Sequence, residues 1–100
     1  MYIPKIINGK VWLYNERGFH TGSLGPSDAV FADVNAAQTL IVVTRKNGRV
    51  EIYDERGCFR TYIGLSDAIS ARWAGSDVVV TRSGGRVEIY NERGSVQRRL

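Results

Sequence analysis

One hundred residues, 43% hydrophobic and 24% charged with a net charge of +4, bound the chain to one small globular domain with a marginal core. No apolar run approaches the roughly 20 residues of a membrane span, and Met1-Tyr2-Ile3-Pro4-Lys5 lacks the basic and apolar segments of a secretory signal. The single Cys58 closes no internal disulfide, so a reducing, cytoplasmic address without a membrane partner is expected.

In chain order, Ile3 to Ile7 is a short apolar run interrupted by Pro4 and Lys5. Asn8-Gly9 follows, the dipeptide of a two-residue type I′ hairpin, and Val11 to Tyr14 alternates as a returning strand. The logic repeats in Leu40 to Thr44, Asn47-Gly48 and Val50 to Tyr53, and again in Val78 to Thr81, Gly84-Gly85 and Val87 to Tyr90. β-Branched residues dominate these runs, and helical periodicity is absent.

A second kind of turn comes next. Asp54-Glu55-Arg56-Gly57, matched by Asn15 to Gly18 and Asn91 to Gly94, carries Asp or Asn where a type I turn begins and Gly where a left-handed residue ends it. Outer strands follow at Phe19 to Leu24, Cys58 to Ile63 and Ser95 to Leu100. Ser27-Asp28-Ala29-Val30 and Ser66-Asp67-Ala68-Ile69 then open strands running to about Val34 and Trp73. The unit is an opening strand A, a hairpin B–C and an outer strand D, repeating every 37 to 39 residues or about that. The first unit lacks strand A, so the expected total is eleven strands.

The phrase Gly48-Arg49-Val50-Glu51-Ile52-Tyr53-Asp54-Glu55-Arg56-Gly57 recurs at Gly85 to Gly94 and, more loosely, at Gly9 to Gly18. It resembles the blade of a β-propeller, in particular the NHL-type and related short-blade families. They carry a Gly-x-Val/Ile-x-aliphatic-Tyr/Phe-Asp/Asn-x-x-Gly core followed by a strand ending in Gly, here Phe59 to Gly64. The chain departs from the NHL pattern where Arg45 and Arg82 stand in place of an Asp after strand B. The resemblance implies an all-β, propeller-like array of three four-stranded antiparallel blades within one domain spanning residues 1–100. The blades cover 1–25, 26–64 and 65–100. A β-trefoil, also three four-stranded units, is the alternative architecture.

Three blades do not close a ring, since propellers typically have four to eight. Their end faces would stay exposed. Completion by self-association is therefore expected, with a homodimer of six blades favoured and a trimer as the competitor. Pro4 belongs to this reading. It falls opposite Leu13 in a non-bonded pair, at the place taken to be that of Val43 and Val80, and has no N–H to offer a strand A. Trp12 stands where the sibling units carry Glu51 and Glu88. It reads either as a subunit interface or as local cover for the ragged first blade.

The chemistry-bearing residues are sparse. His20 aligns with Phe59 and Val96 in an apolar slot of strand D, which predicts a packed or half-buried imidazole. Neither His20 nor Cys58 has a partner at catalytic spacing, and no zinc pattern occurs, so neither catalytic nor metal residues nor a cofactor are expected. Glu51 and Glu88 are expected to bond cross-strand Thr44 and Thr81 or to lie exposed. The propeller resemblance places the B–C and D–A turns on one rim, where ligands commonly bind. That rim would gather Lys10, Lys46, Asn47, Arg49 and Arg86 with Asp28 and Asp67. The acids there are expected to pair with neighbouring arginines. The function expected is a non-enzymatic, self-associating binding or scaffold module for a protein or carbohydrate, with polyanion or nucleic-acid binding through the basic rim as the alternative.

Overall fold

In the computed structural model, which describes residues 1–64 and 66–100, the chain forms eleven strands and, among the described residues, no helix. The first blade is β1 (Ile3–Ile7), β2 (Lys10–Tyr14) and β3 (His20–Leu24). The second is β4 (Ala29–Val34), β5 (Leu40–Arg45), β6 (Val50–Asp54) and β7 (Phe59–Ile63). The third is β8 (Ala68–Ala74), β9 (Asp77–Arg82), β10 (Val87–Tyr90) and β11 (Val96–Arg99). Each blade is a separate antiparallel meander in chain order. Three separate sheets rule out the trefoil.

The C–D turns form as their residues dictate. Gly18, Gly57 and Gly94 take φ of +83°, +87° and +87°, and each amide donates three residues back, to Asn15, Asp54 and Asn91 carbonyls. The side-chain Oδ1 of that first residue accepts two more amides, from Arg17 and Phe19 in the first blade and their counterparts in the others. The Asx side chain thus replaces backbone partners that the turn cannot supply.

The B–C turns are of two kinds. Asn8 and Gly9 both have positive φ (52° and 80°) and close the two-residue turn, with Ile7 opposite Lys10. In the later blades the expected two-residue turn is not what forms. The Gly48 amide donates to the Arg45 carbonyl and the Arg45 amide to Arg49, a three-residue loop with Gly48 as its left-handed closing residue. Arg82 to Arg86 repeats this, with both Gly84 and Gly85 at positive φ. Asn-Gly suits either loop, because in each the Gly must be left-handed.

The longer loop moves the register by one residue, which reverses the face on which each β5 and β9 side chain lies relative to the expectation. Thr44 pairs with Val50 and Val43 with Glu51; Thr81 pairs with Val87 and Val80 with Glu88. The residues standing where Pro4 stands opposite Leu13 are therefore Val42 and Val79, opposite Ile52 and Ile89, rather than Val43 and Val80. Val42 and Val79 face Asp33 and Arg72 of the inner strands, while Pro4 has no inner strand beside it.

Alternation gives every blade two apolar faces. One, here the tail face, carries Val42, Val50, Ile52 and Ile63 in the second blade; the other, the head face, carries Ala71, Val78, Val80 and Tyr90 in the third. Together these form one core cluster. The second cluster joins Val11, Leu13 and Leu24 of the first blade to Ala29, Ile41, Val43 and Tyr53 of the second. The core is thus two blade-to-blade joints. At the inner strands the Asp33 carboxylate accepts the Trp73 amide at 2.9 Å, and the Trp73 indole donates to the Asp33 carbonyl at 3.1 Å.

Thr44 lies in the joint between the second and third blades, fully buried, and its hydroxyl has no partner among the described residues. A buried unpaired hydroxyl costs free energy that a methyl group does not. Thr44→Val is expected to stabilise the chain by about 1 kcal/mol, read as a raised urea midpoint with unchanged slope.

Candidate functional site

The B–C turns and the D–A links interlock along one edge of the array. The Ala29 amide donates to the Gly9 carbonyl of the preceding blade at 2.8 Å, while the Lys46 amide of its own blade donates to the Asp28 carbonyl at 2.8 Å. Ala68 to Gly48 (3.0 Å) and Ser83 to Asp67 (2.8 Å) repeat the pattern. Each Ser-Asp-Ala link is therefore held between two hairpin turns. A Cβ at Gly9 would lie 2.1 Å from the Ser27 carbonyl oxygen, and one at Gly48 would lie 2.2 Å from that of Ser66, so only glycine lets the links pass so close.

Behind this rim sits a repeated polar cluster. In the third blade Arg82 is fully buried. Its Nε donates to Glu88 Oε1 at 2.5 Å, its Nη1 to Asp67 Oδ1 at 2.8 Å, and its Nη2 to the Gly64 carbonyl at 2.7 Å and the Tyr90 hydroxyl at 2.9 Å. Tyr90 in turn donates to Glu88 Oε1 at 2.8 Å, and Arg99 Nε reaches Oε2 at 3.2 Å. Arg86 Nη2 pairs with Asp67 Oδ2. The second blade builds the same set more loosely. Arg45 Nε donates to Asp28 Oδ1 at 2.8 Å, Tyr53 donates to Glu51 Oε1 at 2.8 Å, and Arg45 and Arg49 lie 3.5 and 3.2 Å from Glu51 Oε2.

The carboxylates are 5–6% exposed. This corrects the expectation that they bond Thr44 and Thr81 or lie exposed: the register shift puts Arg45 and Arg82 on their face and Thr44 in the apolar joint. The electrostatics follow the geometry. Hydrogen bonds from Arg82 and then Tyr90 hold the Glu88 carboxyl down at about 2, against burial. Burial disfavours the Arg82 charge, but bonds to Glu88, Tyr90 and Asp67 outweigh it and raise its pKa. Burial and the bond to Glu51 push the Tyr53 phenol up. The Asp28 bond raises Arg45. Glu88 thus stays ionised at neutral pH, and through Arg82 it helps latch the D–A link onto the blade.

Among the seven rim residues picked out by sequence, Asp28, Asp67, Arg49 and Arg86 are tied into these ion pairs. Arg49 also lies over the Tyr62 ring at 4.8 Å. Asn47 is exposed, and its Oδ1 accepts the Arg49 amide at 3.0 Å within the turn. Lys10 and Lys46 make no ion pair among the described residues. Sequence reasoning missed the cluster's arginines and tyrosines, Arg45, Arg82, Tyr53 and Tyr90. The signal was present in the identical spacing Arg-Glu-Tyr in both later blades and its absence from the first.

Pro4 and Trp12 lie on the first blade, away from this cluster. Trp12 occupies the Glu51 position and packs beside His20 with ring centroids 4.7 Å apart. His20 itself is exposed, as are Phe59 at 52% and Val96 at 40% in the matching slots. That corrects the expected packed imidazole: the strand-D slot faces outward, and a one-residue bulge follows it in every blade. No group of three His, Cys, Asp or Glu side chains with metal-holding geometry occurs among the described residues. An open cleft of about 450 Å³ lies between the C–D turns of the second and third blades, lined by Asp54, Arg56, Arg60 and Glu92 among others.

No family model matches the chain, and no curated protein matches it. Among solved structures it is similar to BamB from Moraxella catarrhalis, a β-propeller, with a TM-score of 0.79 and 17% sequence identity over 97% of this chain. The match covers 31% of that protein, so the chain spans about a third of its length. At this identity the likeness speaks for fold alone, and with three stacked antiparallel sheets it makes the chain an array of β-propeller blades.

Proposed function

We propose that the chain is a non-enzymatic binding or scaffold module, built of NHL-like short blades, that self-associates and offers its interlocked rim to a protein or carbohydrate. The observation that carries this reading is the pair of unsealed end faces. Val79, Val87 and Ile89 of the third blade repeat the fully buried Val42, Val50 and Ile52 of the second, yet are only half-buried. Apolar blade faces of this kind need another blade or a polar cap to cover them. Two copies supply six blades, within the usual range, whereas three supply nine. Light scattering at micromolar concentration is expected to give twice the 11.2 kDa chain mass; a stable single-chain mass rejects the self-association.

The polyanion alternative draws on Lys10 and Lys46 alone, since Arg49 and Arg86 are already paired with carboxylates. Binding to a nucleic acid that weakens steeply between low and moderate salt would favour it, because phosphate contacts release counterions.

A further inference from the structure

We propose that the copies join head to tail, the tail face of the third blade in one copy packing on the head face of the first blade in a second copy. The proposal rests on the self-association reading above and specifies its contact. The chain already contains this kind of joint twice. In the joint between the second and third blades the tail-face residues Val42, Val50, Ile52 and Ile63 are fully buried. Their counterparts on the open tail face are Val79, Val87, Ile89 and Leu100, the last donating its amide to Val87 as the blade's final rung and 74% exposed.

The open head face is the changed one, and the changes have one direction. In the second and third blades this face carries a buried carboxylate, which is tolerable because arginines of the same hairpin neutralise it, while an aspartate from the D–A link pairs with the arginine in turn. The sheet of the first blade holds three strands, and no strand pairs with the inner side of β1 among the described residues. Ile7 stands where Arg45 and Arg82 stand, and Trp12 replaces the carboxylate. Ile3 and Ile7, 44% and 39% exposed, share the face with Trp12, and no carboxylate among the described residues lies on it. Its polar members are Lys5, Lys10, Ser23 and His20, and the lysine stems can lie along it while the ammonium groups stay in water. A head face stripped of the polar latch, yet enlarged with an indole, is built to be covered by apolar surface and not by solvent.

At the other end the Gly85 turn keeps a left-handed φ of +84° with no atom within 4 Å of its Cβ position. Its counterparts Gly9 and Gly48 are capped by the D–A links, which the first blade does not supply, so this turn stays uncovered in the proposed joint. Each copy therefore carries one open tail of the type already buried twice within the chain and one open head in which Trp12 and Ile7 replace the latch residues. The resulting contact is heterologous, and two such joints close a pair of copies into one ring.

The test uses the full chain and sedimentation at a fixed micromolar concentration, with far-UV circular dichroism and unfolding midpoints as folding controls. Val87→Asp alters the tail, Leu100→Asp alters it at the last, already exposed residue where folding is least affected, and Trp12→Glu restores the interior residue type on the head. The two-chain mass is expected to halve in each variant. Mixing Trp12→Glu with Val87→Asp leaves one healthy tail and one healthy head, and is expected to return a two-chain species containing one of each. If wild type is two chains but the tail variants remain so, the copies meet some other way, and the head-to-tail joint is overturned while self-association stands. A single-chain wild type overturns both.

Discussion

Arg82→Ala is expected to be the most damaging single substitution in the third blade, costing about 3–5 kcal/mol in urea unfolding. The reason is what it leaves behind. Arg82 is fully buried and bonds Glu88, Asp67, Tyr90 and the Gly64 carbonyl at once. Without it Glu88 remains a buried carboxylate with only Tyr90 and the exposed Arg99 for company. Replacing both members, as in Arg82→Met with Glu88→Leu, removes the charge and its partner together. The double variant is expected to recover most of the loss, giving a large coupling energy in a double-mutant cycle.

The same cluster sets an acid limb. Glu88 has its carboxyl depressed from an ordinary 4.5 to about 2, so the unfolded chain takes up this proton first as pH falls. Its contribution to stability is complete above about pH 4.5 and disappears as pH falls through about 2. Glu88→Gln is expected to flatten the decline in urea midpoint over that window. An unchanged slope would show that Glu88 is not held as described.

The second large effect separates backbone conformation from packing. Gly48 and Gly85 have nearly the same left-handed φ, +86° and +84°, at equivalent places in their turns. A Cβ on Gly48 would meet the Ser66 carbonyl oxygen at 2.2 Å; on Gly85 it would meet nothing. Gly85→Ala is therefore expected to cost only the left-handed penalty, about 1–2 kcal/mol. Gly48→Ala adds the clash and the loss of the Ala68 to Gly48 hydrogen bond, and is expected to cost about 2 kcal/mol more than Gly85→Ala. Equal losses would mean the link does not lie against the turn.

Much of this architecture is legible in the sequence because it is written in strong local signals. β-Branched runs place the B and C strands, and the Asx-x-x-Gly turns, which form with their left-handed glycines as expected, place the outer strands that follow them. What was not legible came from one ambiguous dipeptide. Asn47-Gly48 satisfies a two-residue and a three-residue loop alike, and packing on the turn does not separate them: Gly9 lies against Ser27 in a two-residue turn, while Gly85 closes a three-residue loop with nothing against it. That one residue decides whether Thr44 or Arg45 shares a face with Glu51. The local reading consequently paired Glu51 with Thr44 and missed the Arg-Glu-Tyr-Asp cluster.

His20 misled for a related reason. Its slot is apolar in the other blades, yet Phe59 and Val96 are themselves exposed, and hydrophobicity alone does not distinguish an outward slot from a core one. The rim was legible as a set of residues but not as a network, because the partners come from different blades.

The central claim is that the core consists of two blade-to-blade joints clasped by the D–A links. Amide hydrogen exchange at Ala29 and Ala68 addresses it most directly, since these two N–H groups donate across the joints to the Gly9 and Gly48 carbonyls. Both are expected to exchange only through global unfolding, with protection close to that of Val42 in the core. Exchange as fast as at the exposed turn amide of Asn47 would contradict it.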